Sequence, residues 1–329
     1  MIERFASEQV ERAEVKMPIL EIENLTRSFG DNVAVDHVNM RVQAGQIFGL
    51  IGSNGAGKTT AVRMLTTLLN PTSGTARINR FDLLTQPADV RRSIGYVPQE
   101  SQADEALTGR EHLILQGRLY GMDKSSLTKR IGEVLELVGL SAAADKRALE
   151  YSGGMRKLLD VATGLIHKPT VLFVDEPTSG VDVAHRQHLI DYIRDLPAAG
   201  TTVFLTSHFL EEVDQLADSV ALLDHGKTRV SGSPAELKAQ VGASILNITL
   251  RDADSAFMQK LAGRLKETSD LSKVVIDGNR LKAFYARSGD FLPEVRNVIE
   301  RVNASVVSLS IAQPTLDDVF FYHLDREIV

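Results

Sequence analysis

The sequence predicts a mixed α/β fold with one large domain and one smaller domain. The runs at 170–174 and 202–206 are continuously apolar, which is typical of parallel strands covered on both faces. Alternating patterns at 19–25 and 39–43 predict antiparallel strands with one face in water. A glycine-rich stretch at 52–60 joins a short apolar strand to a helix. A chain of 329 residues has room for both domains.

The composition narrows the class of protein. Apolar residues make up 43% and charged residues 24% of the chain, as in an ordinary globular protein. The absence of cysteine excludes disulfides and thiolate metal sites, and it suits a reducing cytosol. No apolar run is long enough to span a bilayer, and the N-terminus lacks an apolar signal core. These features predict a cytoplasmic protein. The net charge of −6 gives no general attraction to nucleic acid, so we expect no nucleic-acid partner.

The chain begins with a segment that differs from the rest. Residues 1–17 mix acidic and basic side chains with scattered apolar ones, and we predict an N-terminal extension that is a mobile tail or a short helix. The large domain then starts at residue 18. Phe29 falls in a predicted turn at 28–31, where its ring could stack on a base or simply pack, and the spacing leaves both open.

The glycine-rich stretch is the most specific motif. It fits the phosphate-binding pattern G-x-x-x-x-G-K-[ST] without a mismatch, between a strand and a helix. Glycines let backbone N–H groups approach phosphates, and the helix N-terminus adds positive charge there. The pattern predicts that Lys58 reaches the β- and γ-phosphates of a nucleoside triphosphate and that Thr59 ligates Mg²⁺. The expected nucleotide-binding residues are Gly52, Ser53, Asn54, Gly55, Ala56, Gly57, Lys58, Thr59 and Thr60.

The middle of the chain is predicted to be helical. Apolar residues at helical spacing between 108 and 140 predict a helical insertion with few strands. It follows a strand that ends near Gln99. Ser152 precedes Gly153, Gly154 and an apolar-periodic segment, so it is expected to be the N-cap of a further helix.

Two acidic residues end the first continuous apolar strand. Phosphate-loop enzymes need a carboxylate for Mg²⁺ and a group that orients the attacking water. We expect Asp175 to hold Mg²⁺ through water and Glu176 to act as the general base or water-positioning group. The alternative interpretation is a solvated strand end without chemistry.

The C-terminal part, 243–329, has a different predicted order of strands and helices. It reads as strand 244–251, helix 254–267, strands 272–277 and 280–286, helix 290–301 and strand 304–312. This βαββαβ order predicts a small ferredoxin-like α+β domain. A last helix at 315–323 carries an aromatic end, which we expect to dock on the chain or form a subunit contact. We interpret this part as an accessory or regulatory domain without chemistry.

Taken together, the motifs resemble those of the ATP-binding-cassette (ABC) ATPases. The matching pieces follow the family's order over about 18–242: the Walker A loop, the Q-loop, the signature, Walker B, the D-loop and the switch histidine. In this sequence they are 52–60, Gln99, 151–155, Asp175-Glu176, 179–182 and His208. The resemblance implies a P-loop NTPase domain with an antiparallel β subdomain and a helical subdomain, working with ATP and Mg²⁺.

The resemblance also implies roles for single residues. Phe29 would stack on adenine, Gln99 would contact Mg²⁺ and water, and His208 would contact the γ-phosphate. The family works as a head-to-tail dimer with shared sites, so Ser152, Gly153, Gly154 and Asp182 would serve nucleotide binding across two copies. Position 155 is methionine where many family members have glutamine, and we expect the protein to be active without that glutamine. The residues expected to be catalytic are Glu176, His208, Lys58 and Gln99, and those expected at the metal are Thr59, Gln99 and Asp175.

Looser features at 108–121 and 313–320 are similar to drug-export ATPases of the daunorubicin-resistance type. They imply an exporter subunit on the cytoplasmic face of the cell membrane, bound to a separate polytopic permease. An importer ATPase remains an alternative, although its extra domain is typically an all-β barrel. A soluble, non-transport ABC ATPase also remains, although ribosome-associated members usually carry two cassettes and chromosome-type members insert a long coiled coil.

Overall fold

The computed structural model describes residues 17–179, 181, 183–251, 253–268, 271–286 and 291–323. The predicted N-terminal extension therefore lies outside the described residues apart from Met17. The strands are β1 (Leu20–Phe29), β2 (Asn32–Val42), β3 (Ile47–Ile51), β4 (Ser73–Ile78), β5 (Phe81–Asp82), β6 (Ile94–Val97), β7 (Val171–Asp175), β8 (Thr202–Ser207), β9 (Ser219–Asp224), β10 (Lys227–Gly232), β11 (Ser244–Leu250), β12 (Leu271–Asp277), β13 (Arg280–Tyr285) and β14 (Val306–Ala312). The helices are α1 (Lys58–Leu65), α2 (Pro87–Ser93), α3 (Gly109–Leu119), α4 (Lys124–Leu137), α5 (Gly153–Leu165), α6 (Val183–Asp195), α7 (Leu210–Leu216), α8 (Pro234–Val241), α9 (Ser255–Thr268), α10 (Leu292–Val302) and α11 (Leu316–His323). Among these helices, none combines the length and apolarity that a membrane crossing requires.

A six-stranded sheet positions the candidate site. Its order is β10-β9-β3-β8-β7-β6, and all neighbours run parallel except the pair β10 and β9. Strands β3, β7 and β8 are buried along their whole length, which confirms the prediction from the continuously apolar runs. Because the three strands are parallel, their carboxyl ends meet at one edge of the sheet. The segments that begin at Gly52, Glu176 and His208 follow these ends.

The central sheet is covered on both faces. On one face, Phe48, Phe173 and Phe204 pack in a row, with neighbouring ring centroids 5.2 Å apart. A second sheet, of order β2-β1-β4-β5, closes this core with apolar side chains such as Leu20 and Leu25. Helices α3 to α7 supply most of the core on the other face. Apolar side chains are therefore needed at successive positions of the strands, which explains their unbroken apolar runs.

The second sheet is antiparallel, as its alternating pattern predicts. Its first two strands are longer than the sequence predicts. The pairing of β1 with β2 shifts register near Leu25 and Arg27, and each shift interrupts the alternation that marks a strand. The predicted turn at 28–31 is therefore wrong at its start, because Phe29 is the last residue of β1 and the turn follows at Gly30 and Asp31.

The helical part begins with well-capped helices. Thr108 and Glu111 form a capping box at the start of α3, and the Asp123 carboxylate accepts backbone N–H bonds at the start of α4. The Ser152 hydroxyl accepts a hydrogen bond from the Met155 N–H, so the predicted N-cap of α5 is confirmed. Each cap fixes where its helix starts and thus where the preceding loop must turn.

Gly95→Ala is expected to destabilise the protein strongly, because β6 touches α5 at this glycine. A Cβ at position 95 would lie 2.2 Å from the Gly164 carbonyl oxygen and 2.7 Å from Leu172 Cδ1, and a backbone atom cannot move aside alone. We expect a loss of about 1–3 kcal/mol or more, typical of an overpacked core. Thermal unfolding would measure it.

Gly132→Ala in α4 is the matched control for this substitution. No atom lies within 4 Å of its added Cβ, and alanine is the better helix former by about 1 kcal/mol. An equal fall in Tm for both variants would contradict the proposed clash at Gly95.

The C-terminal part forms a third sheet. Its elements follow in the order β11, α9, β12, β13, α10, β14, and the antiparallel sheet has the order β12-β13-β11-β14. Helices α9 and α10 cover one face, where Met258, Leu261 and Val295 are buried with Leu246 and Leu281 from the sheet. This order of elements is the one that the sequence pattern predicts.

The last helix docks on the rest of the chain. Leu316 and Val319 are buried in the same core as Val241 of α8, and the Lys282 ammonium lies 2.7 Å from an oxygen of Asp318. The predicted docking of the aromatic end is confirmed for Phe320 and Tyr322, which pack against this core, while Phe321 stays 39% exposed. The third sheet is thus held to the large α/β part through α11 and α8.

Candidate nucleotide-binding site

The glycine loop is fixed by close backbone contacts. A Cβ on Gly52 would lie 2.3 Å from the Leu223 carbonyl oxygen, and one on Gly57 would lie 2.3 Å from that of Ala34. Gly57 also has a φ of 105°, in the left-handed region that other residues avoid. Only glycine fits both positions, so the loop can wrap closely in front of α1.

Lys58 lies buried at the start of α1. Its ammonium donates hydrogen bonds to the carbonyl oxygens of Gly52 (2.9 Å) and Ser53 (3.2 Å), so the side chain folds back along the loop. Burial lowers the pKa of Lys58, while the nearby charges of Glu176 and Asp175 oppose that change. An anion in front of the loop would add a favourable partner to this ammonium.

A cavity of ≈ 420 Å³ opens in front of the loop. The loop, the ends of β7 and β8, and the segment after β6 all contribute to its wall. The lining residues are Ala34, Ser53, Asn54, Gly55, Gly57, Lys58, Thr59, Thr60, Gln99, Glu176, Ser179 and His208. Five parts of the chain that are distant in the sequence, including β2 through Ala34, therefore meet in a single cavity.

Glu176 is the meeting point of the polar side chains. Gln99 Nε2 donates a hydrogen bond to Glu176 Oε2 (2.8 Å), while His208 Nδ1 lies 3.2 Å from Glu176 Oε1. Lys58 Nζ lies 3.9 Å from the same Oε1. The Glu176 side chain is 9% exposed, so these contacts face little competition from water. The carboxylate is held in a defined orientation next to the phosphate-binding loop.

The backbone at Glu176 supports this orientation. Its φ is 46°, in the left-handed region, and its N–H donates to both the carbonyl oxygen and the hydroxyl of Thr206. The Thr206 hydroxyl in turn donates to Asp175 Oδ1 at 2.5 Å. One threonine on β8 thus fixes both acidic residues at the end of β7, a role that no local signal in the sequence indicates.

Several predicted residues lie away from the cavity lining. Phe29 is 48% exposed at the end of β1, with the Arg27 guanidinium 4.6 Å from its ring centroid. Ser152, Gly153 and Gly154 lie at the N-terminus of α5, and Asp182 lies outside the described residues. Gly52, Ala56 and Asp175 do not line the cavity either. Ala34 lines the cavity although the sequence gives no sign of it, because its contact with the loop depends on how β2 packs.

The donor set fits a hard divalent cation. Thr59 offers a hydroxyl oxygen and Gln99 an amide oxygen at the cavity wall, and Asp175 offers a buried carboxylate at the end of β7. Oxygen ligands of these kinds are the ones that Mg²⁺ prefers, usually with several waters retained. Among the described residues, no group of three or more histidine and acidic side chains forms an alternative metal centre.

Comparison with known proteins points in the same direction. The sequence profile of a family described as ABC transporter matches residues 35–179. The chain is 40% identical over 303 residues to the daunorubicin/doxorubicin resistance ATP-binding protein DrrA of Streptomyces peucetius, covering 92% of this chain and 91% of the relative. It is 30% identical to the linearmycin resistance ATP-binding protein LnrL of Bacillus subtilis, covering 92% and 97% of the two chains.

Solved structures agree on the fold. An ATP-binding subunit of an ABC transporter superposes with a TM-score of 0.62 at 26% identity, covering 68% of this chain and 92% of that one. An ATP-binding cassette described as dimeric and bound to ADP and phosphate superposes with a TM-score of 0.60 at 22% identity, covering 65% and 98%. These structures share the fold of the large α/β part.

Proposed function

The chain belongs to the ABC transporter family, and on this premise we propose that it is the ATP-hydrolysing subunit of an exporter. Membership makes the chain an ATP-binding enzyme that hydrolyses ATP. The observation that carries the proposal is the position of Glu176, which contacts Gln99 and His208 beside Lys58 and the phosphate-binding loop. A carboxylate held in this way is suited to orient a water for attack on the γ-phosphate.

In this proposal the residues divide the work of binding. The N–H groups of the glycine loop and the Lys58 ammonium hold the β- and γ-phosphates, and Phe29 takes the adenine. Thr59, Gln99 and Asp175 would hold Mg²⁺, which would neutralise charge that develops on the phosphates. The donor chemistry of these three side chains supports this assignment.

Hydrolysis then depends on Glu176 and its two neighbours. Glu176 accepts a proton from the attacking water or fixes its position, Gln99 keeps the carboxylate oriented, and His208 contacts the γ-phosphate. The hydrogen bond from Gln99 to Glu176 supports this division, because it leaves Oε1 directed towards Lys58 and His208.

We further propose that two copies share each ATP in a head-to-tail dimer. Ser152, Gly153 and Gly154 do not line the cavity of their own chain. They lie at the N-terminus of α5, where the first N–H groups of a helix have no partner within it and would meet a γ-phosphate bound by a partner. A solved cassette with this fold is described as dimeric, which supports the pairing of two copies.

Ser152→Arg tests the shared site. We expect ATP affinity of the single chain to be unchanged, because the substitution lies outside its own cavity, while kcat falls by at least about 100-fold. The long side chain would block the approach of the partner's ATP. Titration with a fluorescent ATP analogue and steady-state phosphate release would measure the two quantities.

Ser152→Ala is the control, since it removes the N-cap bond of α5 without adding bulk. Loss of that bond costs about 1 kcal/mol of stability and should lower kcat far less than arginine does. A large loss of ATP affinity in Ser152→Arg would contradict the shared site.

The exporter assignment is supported by the relatives, which carry resistance to daunorubicin, doxorubicin and linearmycin in their names. A separate polytopic membrane permease would bind this chain at the cytoplasmic face of the membrane.

Co-expression with a candidate permease tests the proposal: the two chains should purify together, and inside-out vesicles should accumulate drug only with ATP. ATP-dependent depletion of a vesicle-enclosed solute would instead favour an importer, and failure to bind any permease would favour the non-transport alternative.

A further inference from the structure

The segment after β6 carries the glutamine that orients Glu176. Gln99 donates its side-chain hydrogen bond to Glu176 Oε2, so the direction of its backbone decides whether that bond can form. The segment is irregular from Pro98 onwards and has no strand partner there. Another element must therefore hold Gln99 in place.

Lys157 of α5 supplies this hold. Its ammonium donates to the carbonyl oxygens of Pro98 (2.6 Å) and Gln99 (3.1 Å). The residue is only 3% exposed, so its two hydrogen bonds are shielded from water. A buried ammonium is costly unless its donors are used, and here two of them are spent on the backbone around Gln99.

Asp160, one turn further along α5, holds the other end of the segment. Its Oδ1 accepts a hydrogen bond from the Gln102 N–H at 3.3 Å, and the residue is 7% exposed. Burial lowers the pKa of Lys157, and the charges of Asp160, Asp175 and Glu176 oppose that change. The buried face of α5 thus grips the segment from Pro98 to Gln102 at two points.

Lys157 lies close to the N-terminus of α5, so these hydrogen bonds connect that end of the helix to Gln99. Helix α5 begins directly after Ser152. In the proposed dimer, the N-terminal end of this helix would meet the partner's ATP. A helix moves as a rigid body over such a short distance, so displacement of its N-terminus carries Lys157 and the Gln99 backbone with it.

We propose that Lys157 is a positioning residue for hydrolysis, which couples the placement of α5 to the hydrogen bond between Gln99 and Glu176. The inference rests on the roles proposed above for Gln99 and Glu176. Lys157 does not line the nucleotide cavity and acts through Gln99. When the partner's ATP contacts α5, the position of α5 thereby sets the orientation of Glu176 in its own chain.

Lys157→Met tests the proposal, because methionine keeps an unbranched apolar stem and removes the donors. We expect kcat for ATP hydrolysis to fall by about 10- to 100-fold, as for a misplaced catalytic group, with KM and ATP affinity unchanged. Lys157→Arg retains donors for both carbonyl groups and should restore most of the rate. Lys129→Met, at a side chain that is 83% exposed on α4, is the charge control and should hydrolyse ATP at the wild-type rate.

A double-mutant cycle with Gln99→Ala separates positioning from general stabilisation. If Lys157 acts through Gln99, Lys157→Met should lower kcat little further in the Gln99→Ala background. Fold losses that multiply, or a loss confined to Tm with kcat unchanged, would overturn the inference while leaving the role of Gln99 intact. A wild-type kcat in Gln99→Ala itself would instead refute the proposed role of Gln99, and the inference with it. If Lys157→Met proves too unstable to assay, Lys157→Leu, which is also apolar and lacks donors, takes its place in the same cycle.

Discussion

Lys58→Ala is expected to weaken ATP binding by at least about 30-fold, because removing one member of a buried charge pair costs about 2–5 kcal/mol. The ammonium is buried at the mouth of the loop, bonded to Gly52 and Ser53, and 3.9 Å from Glu176. No other lysine or arginine lines the cavity in the described part of the chain. Isothermal titration with ATP in the presence of Mg²⁺ would measure the loss.

Lys58→Met separates charge from packing. Methionine fills most of the same buried space but cannot bind phosphate, so it should lose affinity as alanine does. Thermal unfolding should show both variants folded. If Lys58→Met bound ATP as well as the wild type, the lysine would have a structural role only.

Glu176→Gln is expected to lower kcat by roughly 100- to 1000-fold while ATP binding is retained, the size typical of losing one transition-state group. The amide has the shape of the carboxylate and keeps an oxygen for the Gln99 bond, but it cannot take a proton from water. Single-turnover phosphate release and ATP titration would separate hydrolysis from binding.

Glu150→Gln is the matched control for this substitution, since Glu150 is an exposed acid that caps a short helical turn outside the cavity. It should hydrolyse ATP like the wild type. Wild-type turnover in Glu176→Gln would show that Glu176 is not the general base. Activation of the attacking water would then fall to Asp175 or to backbone groups that hold the water.

The local motifs of this site, the glycine loop and the acidic pair, are predictable from the sequence. The glycine loop is predictable because its spacing expresses a direct steric need, seen at Gly52 and Gly57. The acidic pair is predictable because it ends a strand that is buried on both faces. The predicted roles of all the site residues stay predictions, those of Phe29, of the residues at the start of α5 and of Asp182 included.

The contacts between distant elements are not readable in this way. Lys157 looks like a polar position of an amphipathic helix, yet its ammonium bonds a segment nearly sixty residues earlier. The carbonyl oxygen of Ala34 presses on Gly57 only because β2 packs beside the loop. Thr206 appears as one more residue of an apolar strand, although it fixes both Asp175 and Glu176. Such contacts depend on strand order and helix packing, which no local pattern encodes.

If two chains close around ATP and hydrolyse it at Glu176, the Glu176→Gln variant should remain closed around bound ATP, and its mass in solution should show this. Size-exclusion chromatography with light scattering would compare the variant without nucleotide, with ADP and with ATP. We expect the mass of two chains with ATP alone, and the mass of one chain when Ser152→Arg is added. A Glu176→Gln variant that binds ATP and still elutes as a single chain would show that two chains do not share the nucleotide.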